Sequence, residues 1–345
     1  MIEFFTKYKT ILKFILLALV IAAIGNFIWH TNFNEIVDYL KKMPFTFVGL
    51  IIMSFSAYMM ATLSWKLCLD EHDDKVSLWN LFMMRHVGEM LTVYNPTSIV
   101  AGEGLKIFYL EKNNVPRQAA VSAIFLSRIL LILSAIFLMI LSLLYLFSKV
   151  LISTSGLVMI IIVALVVGLF GYLLARFLIH SNLYLSRLLI RLQKRFGKKI
   201  FSDTLIESGK EVNQACHLFY KKNKGKFLLG FLFSLLHWIL GAAEFYLIIK
   251  VLGVDISFIN AIAIESGVIL FKTIGAIVPG QIGVEEYANK IMLESVGVHS
   301  NEIWLVVSIM RRARQIFWLA VATLFHYFIK RSYSKGIVVP ENLTD

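Results

Sequence analysis

The stretch Gly275–Glu286, Gly-Ala-Ile-Val-Pro-Gly-Gln-Ile-Gly-Val-Glu-Glu, limits what this chain can fold into more than any other. An apolar run from Asn260 leads into it, and an amphipathic run to Gly297 leads out. Each run falls short of the about 20 apolar residues that a membrane-spanning helix needs. Pro279, Gly280 and Gly283 break the helix between them. The break leaves backbone groups that lipid cannot satisfy. It is tolerated only where protein buries it or where it lines a wet cavity.

The composition of the chain is that of a membrane protein. Hydrophobic residues make up 58% of the chain and charged ones 16%, where a soluble domain carries about 25% charged. The chain therefore reads as an all-α polytopic membrane protein. The net charge of +12 is first a property of loops facing anionic lipid, under the positive-inside rule. Nucleic acid is not an expected partner. Cys68 and Cys216 form no disulfide framework and no metal-ligand spacing.

Six full spans are expected: 11–29, 45–67, 117–147, 156–179, 227–252 and 302–329. Between them fall two interrupted segments, 79–111 and 260–297. The first breaks at Asn95-Pro96 and resumes at Gly102-Glu103. Residues 181–226 are different. Leu185, Leu188, Leu189, Leu192 and Phe196 recur at helical spacing opposite Arg187, Arg191, Lys194 and Arg195, and Val212, Cys216 and Phe219 continue the pattern in a second helix. Eleven Lys or Arg stand there against three Asp or Glu, a net of +8. Both helices read as lying on a surface of anionic headgroups. The chain is expected to be one membrane domain over 1–345, with a first half at 45–147, the basic loop at 181–226, a second half at 227–329 and a short basic tail at 330–345.

Placing both termini in the cytoplasm puts every strongly basic segment there, provided each interrupted segment is a re-entrant hairpin. The halves then match: a span, a hairpin broken at proline, a Gly and Glu after the break, and a long span with arginine inside. Pro96, Gly102, Glu103 and Arg128 correspond to Pro279, Gly283, Glu285 and Arg311 or Arg312. The two copies face opposite leaflets, an inverted repeat whose interrupted helices mark a transport site at mid-depth.

The candidate substrate-binding residues are the ionisable ones at that depth: Arg128, Arg311, Arg312, Glu103, Glu285, Glu286, Glu89 and Glu265. Asn95, Pro96, Gly102, Pro279, Gly280 and Gly283 are the hairpin breaks. An arginine there costs about 2.5–3.5 kcal/mol on insertion scales and needs a partner. Two readings stay open. Arg128 pairs with Glu103 or Glu89, and Arg311 with Glu285, merely to hold each hairpin. Alternatively the guanidinium forks hold a lipid phosphate. Glu103, Glu285 and Glu286 are placed in the first turn after a break, where the helix dipole favours carboxylates. Glu265 is a proton or cation site or the partner of Lys272, and Glu89 has the same ambiguity with Arg85. His86 and His237 read as core histidines. No metal cluster, cofactor or catalytic constellation is expected.

In these residues the chain resembles the transmembrane domain family of lysylphosphatidylglycerol synthases. The likeness rests on Asn95-Pro96, Gly102-Glu103 and Ser127-Arg128, and on Pro279-Gly280-Gln281-Ile282-Gly283-Val284-Glu285-Glu286 followed by Arg311. It departs at the first hairpin, where Val100-Ala101 precede Gly102 and the run is poorer in glycine. The chain ends at Asp345, so the resemblance implies a stand-alone member without an aminoacyl-transferase domain. Flippase-like movement of an anionic or phosphate-bearing lipid in the cell membrane is the expected function. The alternatives are an integral membrane transferase on a lipid-linked substrate, or a scaffold for a separate lipid-modifying enzyme. An oligomer is compatible with each.

Overall fold

A computed structural model describes residues 37–39, 41, 43, 45–94, 99–149, 154–179, 184–197, 202–275, 278 and 281–335. The regular structure among them is entirely helical. The expected span 11–29, the breaks at Asn95, Pro96, Pro279 and Gly280, and the tail beyond 335 lie outside the described residues.

The centre of the molecule is an antiparallel pair, α1 (Thr46–Cys68) and α8 (Lys224–Val251). Gly49 of α1 lies against Leu247 near one end. At mid-length His237 Nδ1 lies 2.8 Å from the Ala57 carbonyl. Near the other end Ser64 Oγ donates to the Gly230 carbonyl at 2.9 Å and lies 2.9 Å from Ser234 Oγ. Small residues let the backbones approach, and the hydroxyls satisfy each other away from water. α4 (Arg117–Lys149) packs on both helices, and Trp238 Nε1 donates to its Leu131 carbonyl at 2.9 Å.

These three helices, Thr46–Cys68, Arg117–Tyr145 and Lys224–Val251, are long and apolar enough to cross a membrane. α5 (Thr154–Ile179) holds a shorter apolar stretch, Ile161–Arg176. It presents Leu165, Val166 and Leu169 outward, each at least 60% exposed. Apolar surface of that kind needs hydrocarbon around it. α11 (Asn301–Lys335) is long, but Arg311, Arg312 and Arg314 interrupt its apolar run.

Each interrupted segment folds as two packed helices. α2 (Leu78–Tyr94) packs on α3 (Ile99–Lys112), and α9 (Phe258–Ile274) packs on α10 (Val284–Ser295). The α2–α3 pair follows the Cys68 end of α1, and the α9–α10 pair follows the Val251 end of α8. Because α1 and α8 are antiparallel, the two hairpins leave from opposite ends of the central pair. Each hairpin then ends in the same way. Asn114 (φ 60°) and Gly297 (φ 91°) turn left-handed. The next N–H reaches back over the turn, Val115 to Leu110 at 3.1 Å and Val298 to Leu293 at 2.9 Å, the helix-ending motif with its apolar clasp.

The core divides likewise. One apolar cluster gathers Trp65, Leu81, Val87, Leu110 and Leu130 around α2–α3. The other gathers Leu50, Phe245, Ile264, Leu293 and Val306 around α9–α10. α11 crosses to pack on α2, as α4 packs on α9, and Trp318 Nε1 donates to Ser54 Oγ at 2.8 Å.

The basic region forms two helices, α6 (Tyr184–Phe196) and α7 (Asp203–Lys222). α6 keeps Leu188 exposed and packs on α7. α7 departs from the expected surface helix: Val212, Cys216 and Phe219 are buried in the first apolar cluster, against α4. Protein, not lipid, covers its apolar face. Lys226, at the start of α8, pairs with Asp70 at 2.8 Å in the turn after α1. At the other end Lys250 pairs with Asp255, and that hydrogen bond holds the Asp255 carboxyl below its ordinary range.

Candidate functional site

Two charge clusters lie where the hairpins meet the long helices. In the first, Arg128 sits roughly 16 Å along α4, at about 1.5 Å per residue. Its Nη2 contacts Glu103 Oε1 of α3 at 2.5 Å and Glu89 Oε1 of α2 at 3.0 Å, and its Nε reaches Glu103 Oε1 at 3.1 Å. Lys106 Nζ lies 3.3 Å from Glu103 and 3.6 Å from Glu89. One arginine thus joins both arms of the hairpin. The arms can meet because α2 carries Gly88. A Cβ there would lie 2.4 Å from Lys106 Cε and 3.0 Å from the Gly102 carbonyl. A cavity of about 20 Å³, room for one water, is lined by Arg85, Glu89, Glu103, Lys106, Arg128 and Trp65, among others.

The second cluster is larger and more enclosed. Arg311 of α11 meets three carboxylates: Glu285 of α10 at 3.3 Å, Glu265 of α9 at 3.2 Å and Glu244 of α8 at 3.5 Å. Its guanidinium also lies 4.1 Å from the Phe245 ring centroid. Arg314 pairs with Glu244. Lys272 and Gln315 both reach Glu285 Oε2, each at 3.2 Å. Arg312 takes Glu286 at 2.5 Å and the Gln281 carbonyl at 3.0 Å. The α10 terminus is built for this. Gly283, at φ 82°, adopts a conformation that costs other residues a steric penalty, and its N–H donates to Glu286 at 2.7 Å.

The clusters differ in access. The side chains of Arg311, Glu285 and Glu244 are at most 3% exposed, whereas those of Arg128 and Glu89 are about 40% exposed. Some oxygens remain unused. Glu103 Oε2 and Glu244 Oε1 are buried without a hydrogen bond.

Several sequence-based assignments change. Glu265 pairs with Arg311 and not with Lys272, which pairs with Glu285. Glu89 pairs with Arg128 and Lys106, whereas Arg85 stacks over the Tyr58 ring at 5.1 Å. Gly102 is not a hairpin break; it lies buried inside α3. Glu103 therefore falls beyond the first turn of its helix, where Glu285 and Glu286 do fall. Its partners, not the helix dipole, hold it. Residues outside the expected set join in: Lys106, Glu244, Lys272, Arg314 and Gln315. Glu244 and Arg314 carried a signal, being ionisable groups inside apolar runs. His86 and His237 are buried, each with Nδ1 2.8 Å from a backbone carbonyl.

Chemically, both clusters are guanidinium–carboxylate networks. Among the described residues no group of three or more His, Cys, Asp or Glu is arranged to hold a metal ion. Comparison with protein families matches residues 10–322 to the lysylphosphatidylglycerol synthase TM region. No curated protein and no solved structure matches the chain.

Proposed function

The chain belongs to the lysylphosphatidylglycerol synthase transmembrane-region family, and from that premise we propose that it moves a phosphate-bearing lipid between leaflets. The carrying observation is the repeated arrangement of one arginine inside a long helix clasped by carboxylates from both arms of a hairpin, Arg128 by Glu89 and Glu103, Arg311 by Glu265 and Glu285. A guanidinium at mid-depth is costly unless partnered. A phosphate matches it as well as a carboxylate does. The phosphate displaces a carboxylate, crosses on the arginine and leaves when the carboxylate returns, while the acyl chains stay in hydrocarbon. The antiparallel central pair supports an inverted arrangement, with re-entrant hairpins approaching from opposite leaflets of the cell membrane and both termini in the cytoplasm.

The test is reconstitution. Purified protein in liposomes is expected to move a fluorescent anionic phospholipid from the inner to the outer leaflet, read as the fraction quenched by an impermeant reductant. Arg128→Ala is expected to slow this at least tenfold while the protein still inserts. Wild-type protein that leaves every anionic lipid in place, or an Arg128→Ala variant at full rate, would overturn the reading.

A further inference from the structure

We propose that the anion seat lies in the first cluster alone, on Arg85 together with Lys106, Arg128 and the indole N–H of Trp65, and that it takes a phosphate group. This deepens the translocation reading and rests on it only for the phosphate's being part of a lipid. Charge balance separates the clusters. Lys272, Arg311, Arg312 and Arg314 meet four carboxylates, Glu244, Glu265, Glu285 and Glu286. Among the described residues, the cavity of the first cluster joins three cations, Arg85, Lys106 and Arg128, to two carboxylates, Glu89 and Glu103.

The surplus cation is Arg85. It is only 9% exposed. Among the described residues its guanidinium makes no hydrogen bond and no ion pair within 4 Å; it faces the Tyr58 ring, and the Glu89 carboxylate acts on it only at longer range. A guanidinium offers five donors, and withdrawing one from water without an anion is unfavourable. A second donor in the same wall is also unused: Trp65 Nε1 is buried without an acceptor. Two idle donors and a surplus positive charge around one cavity select an anion with several oxygens.

At rest that cavity, about 20 Å³, holds no more than a water, so a carboxylate has to give way. Glu103 is the one placed to do so. It is held through Oε1 alone, its Oε2 being without a partner. Its release frees Arg128 and Lys106 to join Arg85 on the phosphate. The second cluster, balanced and sealed, holds its hairpin in place.

The test uses the full chain in phosphatidylcholine nanodiscs. Phenylglyoxal labelling of Arg85 is read by peptide mass spectrometry after adding phosphatidylglycerol, inorganic phosphate or neither. Protection by phosphatidylglycerol is expected. Protection by inorganic phosphate alone keeps the seat, assigns it to a free anion and removes support from lipid movement. Protection by neither overturns the proposal, whether or not any variant folds. In binding measurements, Arg85→Gln is expected to weaken phosphatidylglycerol at least tenfold and Trp65→Phe severalfold. Arg85→Lys is expected to recover part of the loss, and Lys250→Gln, at a distant exposed pair, to change nothing. A folded Arg85→Gln protein that binds and moves lipid as wild type does sinks the seat and leaves translocation standing. Protection of Arg85 with no lipid movement does the reverse.

Discussion

Single residues in the second cluster carry large energetic consequences because they are dry. Glu244, 1% exposed, answers both Arg311 and Arg314. Removing one partner of a buried ion pair strands the other and costs about 3–5 kcal/mol. Glu244→Ala is therefore expected to lower thermal stability in detergent by that amount. A double variant with Arg314→Met is expected to lose less than the two single changes combined, because it removes a stranded charge. Additive losses in that cycle would show that the two side chains act independently. Charges inside apolar runs are visible as interruptions of hydropathy, so Arg128, Arg311 and Glu265 could be singled out. The pairings of Arg128 with Glu89 or Glu103 and of Arg311 with Glu285 could be named as well, and those contacts are present; that of Glu265 with Arg311 could not, because an ion pair is chosen by helix packing and not by spacing. Lys272 stands two turns from Glu265 on the same helix, yet it reaches across to α10 for Glu285.

At the scale of elements, proline and glycine show where a hairpin turns but not where its arms touch. Gly102 looked like part of the break and is instead a point of close packing inside α3. The contact is set by Gly88 on the opposite arm, where a β-carbon would meet the Gly102 carbonyl and Lys106. The second hairpin closes at Gly267, whose absent β-carbon is replaced by Met292. Gly88→Val is expected to force α2 and α3 apart, to cost about 1–3 kcal/mol by overpacking and to slow lipid movement. Stability and transport rate measured on the same preparation check this. Unchanged values for both would mean the arms have slack that the packing does not show. The amphipathic pattern of α7 was legible in the sequence, but its destination was not. Period alone cannot tell a face that meets headgroups from one that meets α4.

For the whole molecule, the order of helices was readable because apolar length and interruption are local properties. Opposed hairpins were expected from the basic segments alone; the antiparallel contact of α1 with α8 that goes with them, between residues about 180 apart, was not. Accessibility of single cysteines tests the arrangement, in a background where the buried Cys68 and Cys216 are replaced by serine. Positions Lys75 and Arg117 flank the first hairpin and are expected to label from one side of the membrane. Positions Asp255 and Asn301 flank the second and are expected to label from the other. Labelling of Lys75 and Arg117 from different sides would mean that the first hairpin crosses completely.

α5 stands outside the doubled plan, and its place in the chain has a consequence of parity. A half made of two crossings and one returning hairpin ends on the face where it began. Strung directly after it, a second such half would insert upright, as a copy and not as a mirror partner. On the proposed topology α5 is the odd crossing that turns the second half over, so excising residues 154–179 would leave α8 threading the bilayer in the same sense as α1, with no antiparallel neighbour to zip against.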